Sequence, residues 1–347
     1  MVHVLDGHND VLLRLWMAGD LTGKSFITGE TGKARKGHVD IPRAVEGSFQ
    51  GGFFAIFVPP EKSDGRAASK NPNAGFPALD HGYALRVASE QAAILLRLEA
   101  AGAVHIVREW KDISLARKAG KIAAIFHMEG ADAIGKDLAE LDLLHAAGLR
   151  SLGPVWSRPT IFAHGVPFRF PSSPDTGPGL TEAGKRLVRR CNELRVLIDL
   201  SHLNEKGFWD IVRISDAPLV ATHSNVHSIC PASRNLTDKQ LDAIAESGGV
   251  VGLNLAVAFL RPDGGHRSDT PLELLVRHLD HMVTRLGENG VAIGSDFDGA
   301  MIPRDIGDVA GLPRLVAAMK DKGFGKSLVE KICHKNWEDV LKRTWAR

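Results

Sequence analysis

Residues 2–10 read Val2-His3-Val4-Leu5-Asp6-Gly7-His8-Asn9-Asp10. The apolar, valine-bearing start has the composition of a short strand, and the run ends on two metal-capable side chains, His8 and Asp10. The same arrangement recurs down the chain. Strand-like runs are expected at 2–6, 52–58, 122–127, 149–155, 196–200, 219–222, 250–254 and 291–294. Glu129 lies just past the third, His202 past the fifth, His223 past the sixth and Asp296 past the eighth.

Helical stretches with apolar residues at three- and four-residue spacing separate these runs, for example at 83–101, 181–194, 239–246, 272–286, 312–322 and 326–343. Thr181-Glu182 and Thr237-Asp238 have the chemistry of helix starts, a capping hydroxyl followed by an early acid. Eight strands alternating with helices predict parallel βαβ units. Closed on themselves they make an α/β fold of the (βα)8, TIM-like barrel type; a doubly wound open sheet shows the same alternation. No glycine fingerprint of the dinucleotide or Walker type opens a helix, which weakens a nucleotide-binding reading. In a barrel the C-terminal strand ends form the active face, so metal-capable residues far apart in sequence would converge there.

A length of 347 residues gives a prior of two domains at roughly 150 residues each, but barrels of about 250 residues or more fold as one unit. We therefore expect residues 1–347 to form a single catalytic domain. The stretch 162–178 carries Pro167, Pro171, Pro174 and Pro178 and has no periodicity. It follows the fourth strand and is expected to be an inserted active-site loop, with a decorative insertion as the alternative. The net charge of +2 is nearly balanced and the only local basic stretch, 32–37, is short, which excludes a nucleic-acid partner. No window approaches 18 apolar residues, so no membrane span is expected. Three widely spaced cysteines and the lack of a signal-peptide pattern predict a cytoplasmic protein.

A lone histidine is more often packed or solvated than a ligand, and the chain has 15. His38, His81, His105, His145, His266, His278, His281 and His334 lie in loops or helices without matching partners, and His3 and His127 are read as structural strand residues. His127 shares a strand face with Glu129 through the period of two. The set His8, Asp10, Glu129, His202 and His223 stands apart. Zinc accepts imidazole and carboxylate donors, and three histidines with two acids serve two Zn2+ ions when one carboxylate is shared. Two ions about 3.5–4 Å apart can clamp the attacking and leaving oxygens of a hydrolysis and lower the pKa of a bridging water toward about 7, yielding hydroxide. Asp296 could take a proton from that water and pass it to the leaving group. Asp298, before Gly299, reads as a turn residue.

Seven segments carry a family resemblance: Asp6-Gly7-His8-Asn9-Asp10, His38-Val39-Asp40-Ile41-Pro42-Arg43, Met128-Glu129-Gly130, Asp199-Leu200-Ser201-His202, Thr222-His223-Ser224-Asn225, Ser233-Arg234-Asn235 and Ser295-Asp296-Phe297-Asp298-Gly299. In this order they resemble the renal (membrane) dipeptidases, zinc metallopeptidases of peptidase family M19, in a soluble bacterial form. The resemblance implies a barrel of the metal-dependent amidohydrolase type with His8 and Asp10 on one zinc, His202 and His223 on the other, and Glu129 bridging. It also implies Asp296 as proton shuttle, Arg234 as holder of the dipeptide's C-terminal carboxylate, tolerance of a C-terminal D-residue, and a homodimer. A planar guanidinium suits a carboxylate better than an ammonium does.

One position departs from the family. A histidine that contacts substrate after the fourth strand aligns, through Leu152, with Trp156, which cannot carry a proton. His164, eight residues on, is the candidate to supply a substrate-binding imidazole. A dipeptidase is the leading expectation. Another zinc amidohydrolase acting on a non-peptide amide or lactam, and a catalytically silent barrel serving as a binding protein, are the alternatives.

Overall fold

The computed structural model describes residues 2–30, 37–61 and 75–346. The locally basic stretch at 32–36 lies outside the described residues. Among the described residues there are nine strands: β1 (Val4–Asn9), β2 (Phe49–Phe57), β3 (Val104–Ile106), β4 (Ile122–Glu129), β5 (Leu149–Gly153), β6 (Leu197–Ile198), β7 (Val220–Ala221), β8 (Val250–Leu253) and β9 (Val291–Ile293). All pair in parallel, in the order β1-β2-β4-β5-β6 and β7-β8-β9. Single parallel bridges join the two arcs, Asp199 with Val220 and Asn9 with Phe297. The result is a (βα)8 barrel, and its eight strands are those the alternation predicts. Strand β3 is additional and lies against the start of β4. Its three residues, Val104–Ile106, are too few to leave an alternation of their own in the sequence.

Buried side chains separate into an inner and an outer layer because successive strand residues face opposite ways. Along β4, Ala123 and Ile125 belong to the cluster inside the barrel, whereas Ala124, Phe126 and Met128 pack under the helices. His127 and Glu129 continue the inner row, with the His127 ring 5.5 Å from that of His8. The helical stretches fall where the periodicity places them, including Glu182–Leu194, capped by Thr181, and Asp238–Glu246, opened by a Thr237/Gln240 capping box. The stretch at 326–343 differs in one respect: a π turn at Lys331–Lys335 separates Lys326–Glu330 from Asn336–Trp345.

That last helix plugs the end of the barrel opposite the site. Trp337 is fully buried, packs 5.1 Å from the Phe53 ring and donates its indole N–H to the Ile293 carbonyl at 2.9 Å. Gly7 sits against it. A Cβ there would meet the Thr222 carbonyl oxygen at 2.2 Å and the Trp337 ring at 2.6 Å, so β1, β7 and the plug can approach only through glycine. Closure between β1 and β9 is reinforced by Asp6, whose carboxylate accepts from the Ser295 amide and hydroxyl, both at 2.7 Å.

Replacing Trp337 with alanine removes the plug and one buried hydrogen bond. The expected loss is about 3–5 kcal/mol of unfolding free energy, measured by chemical denaturation with the Phe53→Leu variant as a milder comparison.

Candidate metal centre

The barrel brings the five sequence-predicted ligands together at the C-terminal ends of β1, β4, β6 and β7. Three overlapping groups have donor atoms within 4.8 Å of one another: His8 with Asp10 and Glu129, Glu129 with His202 and His223, and His8 with His223 and Asp296. Glu129 Oε1 is the common point, 3.8 Å from His8 Nε2, 2.9 Å from His202 Nε2 and 3.2 Å from His223 Nε2. His8 Nε2 lies 3.5 Å from Asp10 Oδ2.

The local chain bends to make this possible. His202, Asp296 and Asp298 all adopt left-handed backbone conformations, with φ of 66°, 61° and 68°. Such strain in non-glycine residues gathers at functional sites. Gly299 completes the turn: a Cβ on it would meet Asp10 Oδ2 at 2.1 Å and Asp296 Oδ1 at 2.5 Å. Asp298 is more than a turn residue, because its carboxylate accepts from the His38 amide at 2.5 Å and from Arg14 Nε at 3.0 Å. His38, without a visible partner in the sequence, answers by accepting the Asp298 amide on Nδ1 at 2.9 Å.

Electrostatics make the pocket a cation receptor. Burial pushes the Glu129 carboxyl up, and the nearby Asp10 and Asp296 charges push it further. Asp296 is raised for the same reasons, burial first and then His8's opposing pull and Asp10's repulsion. Burial acts to depress His8, but Glu129, Asp10 and Asp296 outweigh it and hold its pKa at about 10. His202 and His223 are held well below the usual imidazole range by burial and by the positive charges of Arg234 and His8. They are therefore neutral, each with a lone pair to offer. Their Nε2 atoms stand 3.1 Å apart, while Ser157 Oγ and Thr222 Oγ1 occupy the opposite nitrogens, each at 2.8 Å. Both nitrogens of His8 and Asp10 Oδ1 are buried without a protein partner. Converging lone pairs, orphaned buried donors and three carboxylates fit a divalent cation and fit little else.

A cavity of about 290 Å³ opens onto this centre. Asp10, Glu129, His202 and Asp296 form its floor, and Leu13, Phe57, Trp156, Phe168, Val257, Phe259 and Met301 form apolar walls. Phe168 brings the 162–178 loop into the cavity wall. Trp156 is the hub of this aromatic lining, 5.0 Å from the Phe57 ring, 5.4 Å from Phe168 and 5.8 Å from His202. His164 is not among the lining residues; it is half-buried and accepts the Asn204 amide on its carbonyl at 3.2 Å. His266, which reads as an unremarkable loop residue, does line the cavity. Arg234 is buried beside the wall residue Phe259, 5.8 Å from its ring. Its guanidinium donates to Ser224 Oγ and the His223 carbonyl, both at 2.8 Å, and leaves Nε unpartnered.

Sequence reasoning did not reach Asn254, which donates to Asp296 Oδ2 at 2.9 Å. The available signal was its place at the C-terminal end of the seventh predicted strand, the same position that singled out the ligands.

Carboxylates and imidazoles on the C-terminal strand ends of a (βα)8 barrel define a metal-dependent hydrolase of the amidohydrolase type. Residues 1–346 match the model of the membrane dipeptidase family, peptidase family M19; the chain belongs to that family and is a metal-dependent dipeptidase. It resembles the solved structure of a family M19 metallopeptidase, dipeptidase AC, at 51% identity and a TM-score of 0.92, covering 100% of this chain and 99% of that one. A metallopeptidase from Rhodobacter sphaeroides, solved with a phosphinate mimic of the dipeptide L-Ala-D-Ala, is also 51% identical, with a TM-score of 0.93 and 99% of each chain covered. An uncharacterized protein from the pqqA 5' region of Klebsiella pneumoniae is 48% identical over 260 residues, 74% of this chain and 96% of its own. Among the described residues no helix is long and apolar enough to cross a membrane.

Protein stripped with a chelator should regain divalent ions and gain thermal stability on reloading, because an ion held only by the folded state stabilises it by mass action. The midpoint should rise with ion concentration; a chelator-treated sample whose midpoint does not respond to metal would show that the cluster is not a metal centre.

Proposed function

We propose that the chain hydrolyses free dipeptides to two amino acids with two zinc ions, His8 and Asp10 holding one, His202 and His223 the other, and Glu129 shared between them. The observation that carries this reading is the position of Glu129 Oε1, within 3.8 Å of all three imidazole Nε2 atoms. Bound zinc would supply Lewis acidity toward the scissile carbonyl and a water acidified to neutral pH.

The chain's own groups do the rest. Asp296, oriented by Asn254 on the floor of the cavity, takes a proton from the attacking water and delivers it to the departing amine. Arg234 is the buried cation available to the substrate's C-terminal carboxylate, with Nε still free of a protein partner. The apolar walls exclude bulk water and favour substrates with apolar side chains. Tolerance of a D-residue at the C-terminal position is part of the proposal, supported by the L-Ala-D-Ala mimic in the Rhodobacter sphaeroides relative. Residues 1–347 act as a single catalytic domain in which 162–178 is an inserted active-site loop. Three buried, unpaired cysteines are in keeping with a cytoplasmic protein.

Two measurements test the roles. Asp296→Asn should keep its metal content and lose on the order of 10²-fold or more in kcat; native turnover by that variant would remove Asp296 from proton transfer. Arg234→Ala should raise KM for L,L and L,D dipeptides far more than for a C-terminally amidated analogue, by roughly 1.5–3 kcal/mol for a lost charged hydrogen bond. Equal losses on both substrates would exclude carboxylate binding by Arg234.

A further inference from the structure

Beneath the metal centre, Asp199 and Thr222 form a buried chain of hydrogen bonds that leads to His223. Asp199 Oδ1 accepts from the Ser201 amide at 3.0 Å and the Thr222 amide at 2.8 Å. Its Oδ2 accepts the Thr222 hydroxyl at 2.6 Å, and the same hydroxyl oxygen stands 2.8 Å from His223 Nδ1. Asp199, Thr222 and His223 are each at most 1% exposed, so water does not compete for these bonds. His223 is held from a second side, its amide donating to Ser201 Oγ at 3.1 Å.

We infer that Asp199 and Thr222 are a positioning relay that sets the tautomer and aim of His223 for ion binding. The inference rests on the proposed reading that His202 and His223 share one ion. A hydroxyl has a single proton. Thr222 commits it to the Asp199 carboxylate, which can only accept, so toward His223 its oxygen is an acceptor. Nδ1 therefore carries the ring proton, and the lone pair lies on Nε2, the atom that faces Glu129 Oε1 and His202 Nε2. The two backbone amides on Oδ1 fix the carboxylate so that Oδ2 must face the hydroxyl. Outer hydrogen bonds of this kind raise ligand basicity and lock ring orientation.

The relay is one-sided. Nδ1 of His8, the nitrogen corresponding to the one Thr222 meets on His223, has no hydrogen-bond partner in the protein, so the ion assigned to His8 and Asp10 has no counterpart to Thr222. Damage to the relay should weaken one ion and spare the other. Two substitutions damage it in different ways. Thr222→Val removes the hydroxyl at nearly constant volume. Asp199→Asn removes no heavy atom but reverses the polarity. With its oxygen kept on the two amides, the new NH2 donates to Thr222, the hydroxyl donates to His223 Nδ1, and the ring proton is driven onto Nε2, where it blocks ligation.

The test is a zinc titration of full-length apoprotein in competition with a chromophoric chelator, alongside thermal midpoints. Wild type is expected to bind two ions. In both Thr222→Val and Asp199→Asn, one ion should weaken by roughly 10- to 100-fold while the other is unchanged, and Thr222→Ser should restore the wild-type pair of affinities. Folded variants that keep both affinities, or equal weakening of both ions, overturn the relay and leave the proposed dipeptidase standing. A uniform drop in thermal midpoint, with no separation of the two affinities and no rescue by serine, marks a merely structural role and also overturns it. A wild type that holds a single ion overturns the two-ion reading instead; unchanged affinity for that ion in both variants then overturns the relay as well.

Discussion

Everything at the active face answers to one constraint: Asp10 and Glu129 are buried with Asp296 half-buried beside them, and like charges held out of bulk water repel. Burial and mutual repulsion raise Glu129 and Asp296, while the same three carboxylates hold His8 up at about 10. Such a group is stable only if positive charge is brought to it. Arg234 supplies part from behind the wall, and the converging imidazole lone pairs direct the remainder to a metal ion. The neutral state of His202 and His223 follows first from their burial and then from the same field, since Arg234 and His8 already stand close by. Carboxylates, imidazoles and the guanidinium therefore form one electrostatic unit.

The barrel meets this constraint by separating functions along its axis. At one end Trp337, Phe53 and Gly7 pack the interior so tightly that a single added carbon would collide with the Thr222 carbonyl. At the other end the inner rows of strand residues change from apolar to polar: Ile125 gives way to His127 and then Glu129 on β4. The rigid end supplies the reference frame, and the strand ends aim the ligands from it. Hydrogen bonds between strand ends, Asp6 with Ser295 and Asp199 with Thr222, tie neighbouring strands together. Buried polar groups that join neighbouring strands in this way stabilise register where the strands themselves are only two or three residues long.

The substrate side of the centre is assembled differently. Much of its wall comes from the segments that follow the strands: Phe168 from the Pro-rich stretch, Phe259 and His266 from the connection after β8, Met301 from the turn after β9. Trp156 occupies the place where a histidine was expected from the family resemblance, and its contacts explain what it does there. It packs against Phe57, Phe76 and Phe168 and turns one wall of the cavity apolar. His266 lines the cavity and His164 does not.

The eight barrel strands and the convergence of His8, Asp10, Glu129, His202, His223 and Asp296 were legible in the amino-acid sequence, because strand periodicity is local and a residue just past a parallel strand must lie on one face of a closed sheet. The family segments added roles for those residues. Other features could be decided only by the folded chain. The short strand β3 has no periodicity of its own, the Asn254–Asp296 and Asp199–Thr222 contacts join residues 42 and 23 apart brought close by barrel closure, and His266 reaches the cavity only in the folded chain. Sequence spacing specifies which side chains leave a strand on the same side. Which of them touch, which nitrogen of a histidine carries its proton, and which loop residue reaches the cavity are set by packing between elements that are distant along the chain.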